Sequence, residues 1–221
     1  MINLNKRTVL GIACAVVIAL AGASSVKAGP VTLNGYVFEN NSNATNAASI
    51  PSTSGANITF TVTSAGTLGF QAGFGLQPYT IGQFLASGGA SILTGSSHLL
   101  DPMSGIGNVG DLILLTGLVD ITNGETFSFG HDDGASIFIN GVSIFSQPGP
   151  TAPVVSNFTY SGPSLTGATL DIVYGECCGA PALLQTNLPT GGNTTPEPGT
   201  LVLLGTGLLG LGGAVRRRLL G

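Results

Sequence analysis

The chain has 221 residues, enough for one sizeable domain, and only 7% of them are charged. All six Lys and Arg lie near the ends (Lys6, Arg7, Lys27, Arg216, Arg217 and Arg218), so the stretch from Gly29 to Pro198 carries ten Asp and Glu, no Lys or Arg, and a formal charge of −10. Such a stretch has no cation to neutralise phosphate, which excludes nucleic acid and other polyanions as partners.

The same imbalance leaves the carboxylates without salt bridges inside the domain. Most of them read as an acidic, soluble surface. Any partly buried cluster needs a metal ion or hydrogen-bond donors to offset the repulsion.

Residues 1–28 read as a signal peptide. Lys6 and Arg7 form its basic start, and Val9–Ala21 is an apolar run of 13 residues, short for a bilayer. Val26-Lys27-Ala28 places compact residues at the −3 and −1 positions, so cleavage is expected between Ala28 and Gly29. Cys14 lies inside the apolar run rather than after it, which argues against a lipoprotein. Export implies an oxidising compartment.

Residues 29–189 form the ectodomain. No long 3.6-residue apolar period runs through it. Short stretches rich in Val, Ile, Thr, Phe and Tyr alternate with Gly, Asn, Asp, Ser and Pro, the signature of an all-β antiparallel sandwich or barrel. Strands are predicted over 31–38, 57–63, 112–121, 125–130, 136–139, 142–145, 157–160, 168–174 and 181–186. Residues 39–55 are polar and low in complexity, and read as a long loop. Residues 79–87 read as a short helix with Tyr79, Gln83 and Ser87 on one face. Asn140-Gly141 lies between two apolar runs and predicts a tight hairpin; Asn123-Gly124 predicts a second tight turn.

The order of elements from Glu125 is distinctive. A strand leads into His131-Asp132-Asp133-Gly134, a second strand follows, then the Asn-Gly hairpin and a third strand; later comes Leu170-Asp171-Ile172-Val173-Tyr174-Gly175-Glu176. This order, over about 112–186, resembles the PA14 family of β-sandwich domains, which includes lectin-like modules of microbial adhesins. Residues 31–104 match the family poorly.

Asp132 and Asp133 are adjacent carboxylates in a turn, and Gly134 permits the bend that would aim both at one point. Asp and Gly also favour turns for their own sake. With no Lys or Arg nearby, Ca²⁺ is the natural counter-charge, since it takes six to eight oxygen ligands. The PA14 resemblance implies that the aspartate pair binds Ca²⁺ and that sugar hydroxyls complete the coordination. It further implies a side-chain ligand after the Val-Tyr strand, usually Asn in the family and here Glu176, with carbonyls near Cys178 and Ala180. The Glu keeps an oxygen ligand but leaves sugar specificity open.

Cys177 and Cys178 are the only cysteines after signal cleavage. Neighbouring Cα atoms lie about 3.8 Å apart, shorter than the usual disulfide span. A vicinal disulfide, two free thiols and an intermolecular bridge all remain open. With only His98 and His131 and no CxxC spacing, a structural zinc site is not expected.

No catalytic constellation stands out, and an enzyme is not expected. There is no Gly-x-Ser-x-Gly elbow and no His-Glu-x-x-His helix. His131 beside Asp132 reads as a surface or hydrogen-bonding residue rather than a base. Glycosidase carboxylates face each other across a cleft, which adjacent aspartates do not.

Residues 190–198 are a linker ending in Pro196-Glu197-Pro198. An apolar run follows over 199–215, and Arg216-Arg217-Arg218 begin the basic tail 216–221. As a helix the run rises about 25 Å, the lower limit for crossing a membrane, with the arginines cytoplasmic. Gly205, Gly207 and Gly210 spell GxGxxG without a preceding strand, so small residues in a membrane helix explain them better than a dinucleotide site. The tripartite tail resembles the PEP-CTERM sorting signal of Gram-negative bacteria. That resemblance implies cutting near Pro196–Pro198 by an exosortase-type enzyme, transient anchoring in the inner membrane, and a place at the cell surface or in a polysaccharide matrix or biofilm. The combined expectation is a Ca²⁺-dependent carbohydrate-binding, adhesin-like module. The alternatives are a purely structural matrix protein and, least favoured, a glycan hydrolase.

Overall fold

The computed structural model describes residues 30–74, 79–103 and 110–187. The signal peptide with its Ala28–Gly29 junction, the Pro196–Pro198 motif, the apolar run and Arg216–Arg218 lie outside the described residues. Among the described residues, no helix is long and apolar enough to cross a membrane.

Among the described residues, eleven strands and one α-helix form in the order β1 (Val31–Asn41), β2 (Ile58–Ser64), β3 (Leu68–Ala72), α1 (Ile81–Ser87), β4 (Ser91–Thr94), β5 (Gly110–Ile121), β6 (Thr126–His131), β7 (Gly134–Ile139), β8 (Val142–Gln147), β9 (Val154–Thr159), β10 (Leu165–Glu176) and β11 (Ala182–Thr186). The strands make an antiparallel seven-stranded sheet, β4-β2-β1-β5-β10-β7-β8, and a four-stranded sheet, β3-β11-β6-β9. The all-β sandwich read from the sequence is thus the fold. Residues 31–103 supply strands to both sheets, so they belong to the same domain as the rest.

Alternation decides which side chains meet. Leu33 and Val37 of β1, Ile58, Phe60 and Val62 of β2, Ile113 and Leu115 of β5, and Leu170, Ile172 and Tyr174 of β10 join one core between the layers. The rings of Phe70, Phe84 and Tyr174 stack with centroids 5.3 and 5.7 Å apart, tying β3, α1 and β10 together.

Three expectations need correction. Residues 39–55 are not all loop: β1 continues to Asn41, and a 3₁₀ turn over Ser42–Thr45 follows. That segment is packed, because Ala47 joins Phe38, Leu112, Leu114, Phe138 and Val173 in a second apolar cluster on the outer face of the large sheet. Strands β3 and β4 were missed, being short and carrying a glycine or half-exposed residues. The helix forms as read, over Ile81–Ser87, and buries Ile81, Phe84 and Leu85, while Tyr79 just before it is buried too. Gln83 completes a capping box with Thr80, at 2.9 and 3.2 Å.

The hairpin at Asn140-Gly141 forms as read, both residues having positive φ (49° and 75°). Asn123-Gly124 also makes a tight turn, but it carries the chain from one sheet to the other.

Candidate functional site

The turn Asp132–Asp133 is where the chain leaves β6 in the small sheet and enters β7 in the large one. The sequence placed the bend at Gly134, but the left-handed residue is Asp133, with φ +52°. Gly134 is needed for another reason: a Cβ there would collide with the carbonyl oxygen of Pro148. Asp can adopt the left-handed region more readily than most residues, and the surroundings hold it there. The Asp133 amide donates to the Thr151 carbonyl at 2.9 Å and to Asp132 Oδ1 at 3.0 Å. The Asp132 amide donates to the Leu183 carbonyl at 3.0 Å.

His131 is fully buried against Phe129 and Phe145. Its Nδ1 lies 2.9 Å from the Asp133 carbonyl oxygen, and its Nε2 lies 2.8 Å from Gln147 Oε1. The sequence reading had it at the surface or hydrogen-bonded; it is buried, and it braces the turn.

Asp133 Oδ2 accepts from the amides of Cys177 and Cys178 at 2.8 and 3.1 Å. These two cysteines form a vicinal disulfide with Cα atoms 3.7 Å apart. One carboxylate therefore locks the disulfide loop to the turn. Asp132, Asp133, Thr151, Cys178, Gly179 and Ala180 line a shared hollow of about 380 Å³. Burial, and then the charge of Asp133, push Asp132 up to about 6.

Four of the five predicted calcium ligands thus meet: Asp132, Asp133, Cys178 and Ala180. Glu176 does not join them. It is fully buried and spoken for by two tyrosines, Tyr79 at 2.7 Å from Oε1 and Tyr174 at 2.5 Å from Oε2. Tyr79 also lies 3.2 Å from the Gly179 carbonyl, and Tyr174 accepts from the Leu183 amide at 3.2 Å. One hydroxyl proton cannot serve both Glu176 and Gly179. The network is complete when Glu176 carries its own proton on Oε1 and Tyr79 donates to Gly179. Burial agrees, raising Glu176 to about 8 against the lowering effect of the two hydroxyls. Glu176 thus stands behind the hollow, held by two tyrosine hydroxyls, and does not line it with the other four.

A fit to Ca²⁺ therefore rests on the two aspartates and nearby carbonyls, with remaining positions open to water or ligand hydroxyls.

A second group was not singled out by the sequence. His98 Nδ1 lies 2.7 Å from Glu39 Oε2 and 3.1 Å from Asp101 Oδ2. The expectation of no ion pairs overlooked this imidazole, which pairs with both carboxylates when protonated. Asp111 stands beside them on β5, 5% exposed, and its Oδ2 has no hydrogen-bond partner. Burial and then the Glu39 charge push Asp111 up to about 7. Strand parity was the available signal: Glu39, Asp111 and Glu176 all fall in register with core residues of their strands.

Comparison with known proteins adds the following. Residues 194–218 match the family model for the PEP-CTERM protein-sorting motif. This marks the chain as an exported surface protein and implies processing by exosortase. Among solved structures, the chain is similar to the PA14 domain of the MpAFP antifreeze protein, at 20% identity and TM-score 0.41, over 73% of this chain and 84% of that one. It is similar to a PA14 sugar-binding domain from an RTX adhesin, at 21% identity and TM-score 0.42, over 70% and 86%. An anti-sigma factor domain-containing protein aligns at 13% identity and TM-score 0.39, over 78% and 50%. No curated protein matches.

Proposed function

We propose that the ectodomain is a Ca²⁺-dependent carbohydrate-binding module at the cell surface, with the ion held at Asp132 and Asp133. The observation that carries this reading is the hollow itself. Two adjacent carboxylates line it, Asp133 is fixed by backbone bonds on both sides, and no Lys or Arg lies between residues 29 and 198 to offset their charge. The carbonyls of Cys178 and Ala180 belong to residues of the same wall. When bound, the ion would supply open coordination positions for sugar hydroxyls. The chain's own part is to present the oxygens, and the disulfide keeps the opposite wall rigid. Exopolysaccharide of a matrix or biofilm is the ligand class that suits an exported, sorted protein. The apolar run over 199–215 would hold the protein in the inner membrane until processing.

The reading is of a binder, not an enzyme, because the two aspartates share one turn instead of flanking a cleft. One observation favours the purely structural alternative: Asp133 Oδ2 already serves two backbone amides, and that would suffice to keep an aspartate there.

Calorimetric titration of Ca²⁺ into the untagged chain separates the two. The lectin-like reading expects saturable binding that disappears in Asp132→Ala/Asp133→Ala, and calcium-dependent retention on glycan surfaces. Absence of calcium binding by the folded wild type would leave the structural role as the account.

A further inference from the structure

We propose that Glu39, His98 and Asp101, with the buried Asp111 carboxylate nearby on β5, form a second divalent-cation site, of the Zn²⁺ or Mn²⁺ class, separate from the Asp132–Asp133 turn. The donor atoms of Glu39, His98 and Asp101 all lie within 4.8 Å of one another, the spread that a single ion can gather.

Asp111 carries the argument beyond a surface cluster. Phe38 pairs with Leu112 across the β1–β5 ladder, and Asn41 with Gly110 beyond a bulge, so Asp111 sits opposite the Glu39–Asn40 step. Glu39 follows Leu33 and Val37 by even steps on β1, and Asp111 precedes Ile113 and Leu115 by even steps on β5, so both side chains project on the core side. The charges of Glu39 and Asp101 both bear on Asp111. Its Oδ2 is buried and has no hydrogen-bond partner, while the Asn40 amide serves the carboxylate from the backbone. Native structures rarely leave a buried carboxylate oxygen so, and an unplaced ion is one of the standard reasons.

The charge balance points the same way. Two carboxylates meet one imidazole and a third lies nearby, the imidazole can supply a single positive charge at most, and no Lys or Arg lies between residues 29 and 198. A divalent ion offsets more and removes the need for the proton between Nδ1 and the carboxylates. One imidazole nitrogen among oxygen donors suits Zn²⁺ or Mn²⁺; Ca²⁺ and Mg²⁺ prefer oxygen alone.

The donors are also preorganised. The loop bearing His98 and Asp101 is tied to the start of α1, where the amides of Ile81 and Gly82 donate to the carbonyls of Asp101 and Leu99 at 3.1 and 2.9 Å. The Glu39 amide donates to Asn57 Oδ1 at 2.9 Å. An ion here would fasten that loop to strands β1 and β5, stapling the domain at the end where the row of inner carboxyls lies.

The test is titration of Zn²⁺, and separately of Mn²⁺, into the untagged full-length chain after chelator treatment. It is read by calorimetry and by the Mn²⁺ electron paramagnetic resonance signal. The comparison set is wild type, His98→Ala, Asp111→Asn and Asp132→Ala/Asp133→Ala. His98 has a side chain 37% exposed, so its removal leaves the core intact. The expected result is one equivalent bound by wild type and by the double aspartate variant, with affinity weakened at least tenfold in both His98→Ala and Asp111→Asn. Asp111→Asn should in addition melt higher than wild type in chelator and lose the metal-induced rise in melting temperature. Lack of saturable binding by wild type would overturn the proposal, as would binding unchanged by His98→Ala or abolished by Asp132→Ala/Asp133→Ala. The calcium result at the turn leaves this outcome unaffected, because the two variant sets share no residue.

Discussion

Asp111 and Glu176 face each other directly across the β5–β10 ladder, and both are buried carboxyls on the core side of the large sheet. Their neighbourhoods differ sharply. Glu176 has a hydroxyl on each oxygen, and the chain of bonds ends in a backbone amide and a backbone carbonyl. Asp111 keeps one oxygen without any donor and has acidic neighbours. One buried acid is thus met by a phenol on each oxygen, while the other keeps an oxygen without a hydrogen-bond partner. The same chemical problem, set one strand apart, has two different solutions because only one of the two positions lies under Tyr79 and Tyr174.

The broadest way to sharpen this contrast is pH. A carboxyl raised in the folded state holds its proton more tightly there than in the unfolded chain. The resulting stability is complete below the ordinary carboxyl range and is lost as pH rises through about 7 for Asp111 and about 8 for Glu176. In chelator, the melting temperature should therefore fall by about 10 °C between pH 5 and pH 8.5, at about 3 °C per kcal/mol for a domain of this size. Calorimetric scans check it, and a flat profile would show that neither acid is neutral in the native state.

Next in size is Tyr174→Phe. It removes the donor to Glu176 Oε2 and the acceptor for the Leu183 amide, while keeping the ring in its stack with Phe84. Two buried partners left unsatisfied should cost about 3 kcal/mol, measured by urea unfolding. A loss well under 1 kcal/mol would mean that water replaces the hydroxyl.

The smallest effect has the opposite sign. Asp111→Asn removes a buried charge that the Asn40 amide offsets only in part, so in chelator at pH 8 it should stabilise the domain by about 1 kcal/mol. Destabilisation there would show that Asp111 finds a partner in solution, and the contrast with Glu176 would fail.

The strand alternation and the Asn140-Gly141 hairpin made most of the sandwich legible in the chain, since both are local rules. The aspartate turn was legible too, because two carboxylates before a glycine are a short-range signal. The surroundings of Glu176 were not legible in the sequence. Its partners, Tyr79 and Tyr174, come one from a segment 97 residues away and one from its own strand, and only burial reveals that they share it. His98 and Asp101 read as isolated polar residues until the loop docks on α1 and brings them beside β1.

Sequence by itself determined the export and sorting layout, the β character of the ectodomain, and the scarcity of basic residues that makes every buried carboxyl an electrostatic problem. Tertiary structure decided which carboxyls are buried together and what each one meets. The physical reason is range. Strand period, turn preference and charge count are properties of neighbouring residues. The state of a buried acid is set instead by the donors and charges within a few ångströms, and in this fold those arrive from β1, α1, β5, β7 and β10 at once.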